Sequence, residues 1–185
     1  MKFRLPELKD KEIIKLYIEE HYSHNEKSLS ASNKLTSMYF EDWVNKIHNN
    51  VNIPDKEWGK SLTYLAFDDM DKLVGLLSVR YDLPIEKVKE FGHIGYGVRP
   101  SERRKGYATQ MLKYALKECK KHGLNKVIVG CYKENKASAK TIIKNNGKLI
   151  KEKDIFIDIN DCWRINLVDQ FYEIEIWHLY FSVIY

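Results

Sequence analysis

The amino-acid sequence predicts a mixed α/β (α+β) fold: a central sheet of about six to seven strands flanked by about four helices, in one domain over residues 1–185. Three observations predict it. Apolar residues make up 44% of the chain, enough for a core, and no apolar run reaches transmembrane length. Strand-period and helix-period runs follow one another without an internal repeat, linker or low-complexity tail. One stretch, Gly92 to Leu116, runs from a strand through a cationic, glycine-containing loop into an amphipathic helix.

Taken in order, Phe3, Leu5 and Leu8 suggest a short first strand, cut by Pro6. Asp10 is placed as the N-cap of a helix through about His21, with Ile13, Ile14, Tyr17 and Ile18 near one face. Ser23 to Ser37 is polar and reads as a loop. Tyr39, Phe40, Trp43, Val44 and Ile47 then form a helical stripe, either core or one wall of a substrate cleft. After a loop over residues 50–60, Leu62–Phe67 and Leu73–Tyr81 flank a short polar turn, a hairpin signal. The segment DLPIEKVKE connects this hairpin to the strand His93–Val98.

The helix after that strand carries Ala108, Met111, Leu112, Ala115, Leu116 and Cys119 at helical spacing, and His122-Gly123 stops it. Val127–Cys131 reads as a buried strand. Asn135 opens a second helix that ends at Asn145-Asn146-Gly147. Strand pattern resumes over Lys148–Ile159 and again over Glu173–Phe181, while residues 160–171 read as an irregular connection.

The chemistry concentrates between His93 and Thr109. The first N–H groups of a helix lack internal partners, and the macrodipole adds positive charge there. Arg103-Arg104-Lys105 precede Gly106, whose missing side chain lets a ligand approach the backbone. Such a loop suits a ligand with phosphates. It is neither a GxxxxGK[ST] loop nor a dinucleotide GxGxxG, because Gly92, Gly95 and Gly97 lie within the strand region rather than in the strand–helix turn.

The pattern [R/Q]-x-x-G-x-[G/A] is met by Arg103-Arg104-Lys105-Gly106-Tyr107-Ala108, five residues after Val98. Asn135-x-x-Ser138 follows downstream at the start of the second helix. With the element order, these residues resemble the GNAT superfamily of N-acetyltransferases, and GHIGYGVRPSERRKGYAT with ENKASAKTIIKNNG is similar to a bacterial branch of it. The resemblance implies acetyl-CoA as co-substrate, with Val98 lending backbone groups to the pantetheine arm. Arg103, Arg104, Gly106, Ala108 and Thr109 would surround the pyrophosphate, bordered by Arg99, Lys105 and Tyr107. Asn135 and Ser138 would help hold the pantetheine and pyrophosphate, although Asn135 also reads as a plain N-cap.

The implied reaction is direct attack of a primary amine on the acetyl thioester in a ternary complex, with a small-molecule or peptide acceptor. Many members carry a Tyr on the helix after the second motif as the acid toward sulfur, whereas this chain has Lys140-Thr141-Ile142-Ile143-Lys144 there. That departure motivates an alternative, a catalytically silent acyl-CoA-binding sensor or scaffold. In place of the family's strand Glu stand Gly92 and His93, with Glu90 just upstream. His93 is the candidate base, or else a hydrogen-bonded core histidine. Tyr96, on the opposite strand face by alternation, is a candidate substrate-side hydroxyl or core residue. Arg80 and Tyr81 could select an anionic or aromatic acceptor.

Composition narrows the partners. A net charge of +5 with lysines spread over helix faces permits nucleic-acid binding without demanding it, and none is expected. Cys119, Cys131 and Cys162 are odd in number and widely spaced, and the six histidines are scattered, so no metal site is expected. The polar N-terminus and the cysteine pattern suggest a cytoplasmic address without membrane attachment. The C-terminal YFSVIY could pair a strand with a second copy in a homodimer.

Overall fold

A computed structural model describes residues 1–26, 28–159 and 163–176. Its strands are β1 (Lys2–Arg4), β2 (Ser61–Phe67), β3 (Leu73–Arg80), β4 (Ile94–Val98), β5 (Lys126–Tyr132), β6 (Lys148–Ile159) and β7 (Trp163–Glu175). Its helices are α1 (Lys11–Ser23), α2 (Phe40–Asn49), α3 (Ile85–Phe91), α4 (Tyr107–Lys121) and α5 (Lys136–Lys144). None of these helices is long and apolar enough to cross a membrane.

The strands form two antiparallel sheets, in the orders β1-β2-β3-β4 and β5-β7-β6. α4 joins them. Its buried stripe of Met111, Leu112, Ala115, Leu116 and Cys119 packs on Leu62, Leu77, Val79 and Ile94 of the first sheet and on Val127, Val129 and Ile174 of the second. The other face of the first sheet buries Leu65, Phe67, Leu73 and Leu76 against Ile14 and Tyr17 of α1 and Trp43, Val44 and Ile47 of α2. The α2 stripe is therefore core: Trp43 is 0% exposed and its indole N–H donates to the Ser32 carbonyl at 2.8 Å.

Two expectations need correction. The DLPIEKVKE connector contains α3, with Pro84 at its N-cap and Val88 buried. Pro at a helix start fixes a compatible φ and wastes no hydrogen bond, a cue present in the letters. The connection read as irregular over 160–171 is largely strand, because β7 begins at Trp163 and pairs β6 from Ile159↔Trp163 to Lys148↔Glu173. The expected final strand is the end of this same β7, and its continuation beyond Ile176, with the YFSVIY pairing and Cys162, lies outside the described residues.

Candidate active site

β5 is hydrogen-bonded to the residue just before β4, His93. The His93 N–H donates to the Ile128 carbonyl at 2.7 Å, and the Ile128 N–H donates back to His93 Nδ1 at 2.9 Å. Beyond it the two strands belong to different sheets, so a wedge opens toward the ends from which α4 and α5 start. The β3–β4 register directs the backbone groups of Gly95 and Gly97 toward β3 and those of Tyr96 and Val98 toward the wedge. β4 thus offers an unladdered edge.

The wedge is bridged by side chains. The Tyr96 hydroxyl lies 2.8 Å from Ser138 Oγ in the first turn of α5. Asn135 caps that turn, its Oδ1 accepting from the Ser138 N–H at 3.0 Å. Its amide N–H groups are left free by that bond, so capping and ligand contact are compatible. Burial pushes the Tyr96 phenol up to about 12, so it stays protonated across the neutral range. The structure therefore joins Tyr96 of the strand to Ser138 of the second motif, a contact across 42 positions of chain.

At the mouth of the wedge, Gly106 is the N-cap of α4 with φ +84°, a left-handed conformation that favours glycine. A Cβ built there would meet nothing within 4 Å, so the space before it is open. No side chain caps this helix start, and no acidic residue stands in its first turn. The first-turn N–H groups of Tyr107, Ala108 and Thr109 face that opening as free donors. An anion fits here.

The cations of the loop are arranged otherwise than their letters suggest. Arg103 donates through Nε to the Val98 carbonyl at 3.0 Å and pairs with Glu26 through its terminal nitrogens. Arg99 pairs with Glu20, which also accepts from the Ser101 N–H at 2.8 Å. Lys105 and Lys72 both pair with the buried Glu102. Among the described residues only Arg104 of this loop's cations has no side-chain ion pair; it stands at φ +63°. Arg99, Arg103 and Lys105 thus shape the loop, and Arg104 is its free charge. Burial alone would raise the Glu20 carboxyl, but the Ser101 and Arg99 contacts outweigh it and hold it at about 2. Glu20 and Glu26 carry no local motif, so sequence reasoning missed them.

The remaining candidates separate. His93 is 9% exposed, burial lowers its pKa, and its Nδ1 lone pair is committed to the Ile128 amide. The neutral ring then carries its proton on Nε2 and has no free acceptor. Glu90 projects from α3 into solvent, 3.5 Å from Lys87. Tyr81 stacks on His122 at 3.8 Å and donates to the Val51 carbonyl. Arg80 instead lines a cavity of about 150 Å³ with Ser61, Ser78, Trp58 and residues of the α1–α2 loop. Among the described residues no group of three or more His, Cys, Asp or Glu is placed to hold a metal.

Known proteins can be set beside this geometry. None of the curated proteins matches the chain. Solved structures do. A ribosomal L7/L12 alpha-N-protein acetyltransferase in complex with coenzyme A is 18% identical, covering 94% of this chain and 93% of its own, with a TM-score of 0.67. The microcin C7 self-immunity acetyltransferase MccE, in complex with acetyl-CoA and AMP, is 19% identical over 94% and 91%, with a TM-score of 0.66. An N-acetyltransferase from Staphylococcus aureus Mu50 is 21% identical over 95% and 98%, with a TM-score of 0.64. At these identities the likeness establishes the fold, and the family model for the acetyltransferase (GNAT) family matches residues 12–145. With the splayed strands and the open start of α4 beside them, that match places the chain in the acetyltransferase (GNAT) family.

Proposed function

We propose that this protein transfers an acetyl group from acetyl-CoA to the primary amine of an acceptor by direct attack in a ternary complex. The observation that carries the reading is the wedge, in which an unladdered β4 edge lies beside an uncapped helix start with open space before Gly106. A pantetheine arm can add to the β4 edge like an extra strand, through the backbone of Tyr96 and Val98. The Val98 carbonyl already accepts from Arg103, so its N–H is the group left for the ligand. The pyrophosphate fits against the first-turn N–H groups of α4, with Arg104 as the nearby free charge. Two neighbours that hold coenzyme A or acetyl-CoA support acetyl-CoA as the co-substrate.

In the reaction the acceptor nitrogen forms a bond to the acetyl carbon while the carbon–sulfur bond breaks. The nitrogen loses a proton and the sulfur gains one. A β4 backbone N–H polarises the thioester carbonyl, a contribution of about 10²–10³ in rate for a well-aimed donor. Tyr96 supplies the proton to sulfur, since α5 lacks a tyrosine and the Tyr96 hydroxyl reaches that helix from the opposite wall. The nitrogen's proton passes to solvent, because His93 has no free lone pair. Holding both reactants in one site supplies much of the remaining rate.

Calorimetry with acetyl-CoA, followed by thiol release over a panel of amines, tests the reading. Binding with release supports it. Binding without release from any amine would instead make the chain an acyl-CoA sensor, and no binding at millimolar acetyl-CoA would end both.

A further inference from the structure

We infer that the cavity beneath the α1–α2 loop is the acceptor subsite and takes a small amine that carries its own carboxylate, an amino-acid-type acceptor. This rests on the acetyl-transfer reading and names its substrate class. The sheet face over α1 and α2 is apolar through Leu65, Phe67, Leu73 and Leu76, then becomes polar toward the start of β2 and the end of β3 at Ser61, Thr63, Ser78 and Arg80. An apolar face that turns polar where a loop covers it needs a reason, because buried polar groups cost stability unless they are hydrogen-bonded.

Two independent observations point to an anion. Arg80 lies against Gly95, with its NH2 3.5 Å from where a Cβ would stand, and its face covers the Trp58 ring at 4.9 Å. Its side chain has a single acceptor among the described residues, the Gly92 carbonyl at 3.1 Å, and no carboxylate partner. Of five guanidinium donors most are therefore unspent, although burial pulls its pKa only to about 10 and it remains charged. Separately, Ser61 is 2% exposed, lines the cavity, and has no partner for its hydroxyl among the described residues. A guanidinium held flat by an aromatic ring, beside an unpartnered hydroxyl, is a fork suited to a carboxylate.

The location suits an acceptor. The cavity abuts Gly95, and Tyr96 and Val98 of the wedge follow within three residues, about 10 Å along a strand. A carboxylate on Arg80 leaves an amine a few bonds away directed along β4 toward the thioester. Ala31 and Ser30 of the loop rest directly on Gly95 and Gly97, so this loop has to shift for the amine to pass along that face of β4. Ala31, Asn33 and Lys34 all hold positive φ in this loop, the kind of backbone strain found at ligand clamps.

The test uses matched probes on the intact chain saturated with coenzyme A, so that binding is read without turnover: leucine, leucinamide and isoamylamine, then serine, serinamide and ethanolamine. Calorimetry should give the free acids about 10- to 100-fold tighter binding than their amides or amines. Arg80→Met should abolish that preference and Arg80→Lys retain part of it, with coenzyme A affinity within about threefold, as for two sites that share no partner. Equal affinity across each trio, binding of none, or a preference that survives Arg80→Met would overturn the inference. Should Arg80→Met fail to fold, the wild-type acid-to-amide ratio and its reduction in Ser61→Ala decide. Failure of coenzyme A itself to bind strikes the acetyl-transfer reading, while acid-to-amide discrimination measured without it still judges the cavity.

Discussion

Tyr96 is where the two halves of the candidate site touch, and its substitution separates chemistry from binding. Tyr96→Phe removes the hydroxyl that meets Ser138 and leaves the ring, so kcat should fall about 10- to 100-fold with acetyl-CoA affinity nearly unchanged. An unchanged kcat would remove Tyr96 from the reaction. Gly106→Val should act in reverse. A β-branched residue at φ +84° costs about 1–2 kcal/mol and fills the opening before α4, so acetyl-CoA binding should weaken at least tenfold while the protein melts a few degrees lower. His93 gives a pH signature. Burial lowers its folded pKa below the ordinary 6.5, so the unfolded chain takes up the proton first. Its stabilisation is therefore complete above pH 6.5 and is lost as the pH falls toward the folded value; buried His21 is lowered in the same direction. Melting temperature followed from pH 7.5 to 5 should decline, and less steeply in His93→Asn.

At the scale of elements, the loop from Arg99 to Gly106 is held from outside itself. Glu20 at the end of α1 grips Arg99 and the Ser101 amide, and Glu26 grips Arg103. Glu20→Gln should lower stability by about 1–2 kcal/mol and weaken acetyl-CoA binding several-fold, without touching the ligand. With its carboxyl held at about 2, against the ordinary 4.5, the Glu20 contribution is present above pH 4.5 and lost as pH falls through 2. Denaturant titrations of both proteins at pH 7 and pH 3 should show the difference shrinking at the lower pH.

These ties also mark how far the letters could be read. The strand, loop and helix from His93 to Cys119 were legible because periodicity and Gly106 are local signals. That Arg99 and Arg103 spend their charge on Glu20 and Glu26 was not, since those partners sit 79 and 77 residues away. α3 was missed because seven residues make a weak periodic signal. The start of β7 was missed although Trp163, Ile165 and Leu167 alternate, because its pairing partner β6 had to be known first.

For the whole molecule, α4 packs on both sheets and ties them into one core. Leu112→Ala, at a fully buried position in that helix, should cost about 2–5 kcal/mol and lower stability in one cooperative transition. Two separate transitions would show that the halves fold independently. The joint at His93 and Ile128 has a further consequence. Each half carries its own antiparallel ladder, so opening that seam would sacrifice its two hydrogen bonds and the Tyr96–Ser138 bridge while leaving both ladders whole. The molecule is thereby built like a clothes-peg, with stiff jaws, α4 as the spring and the seam as the pivot. Amide deuterium exchange at Ile128 and His93 should run faster than at Leu65 or Leu77 within the first ladder, and should slow when acetyl-CoA wedges the jaws at a fixed angle.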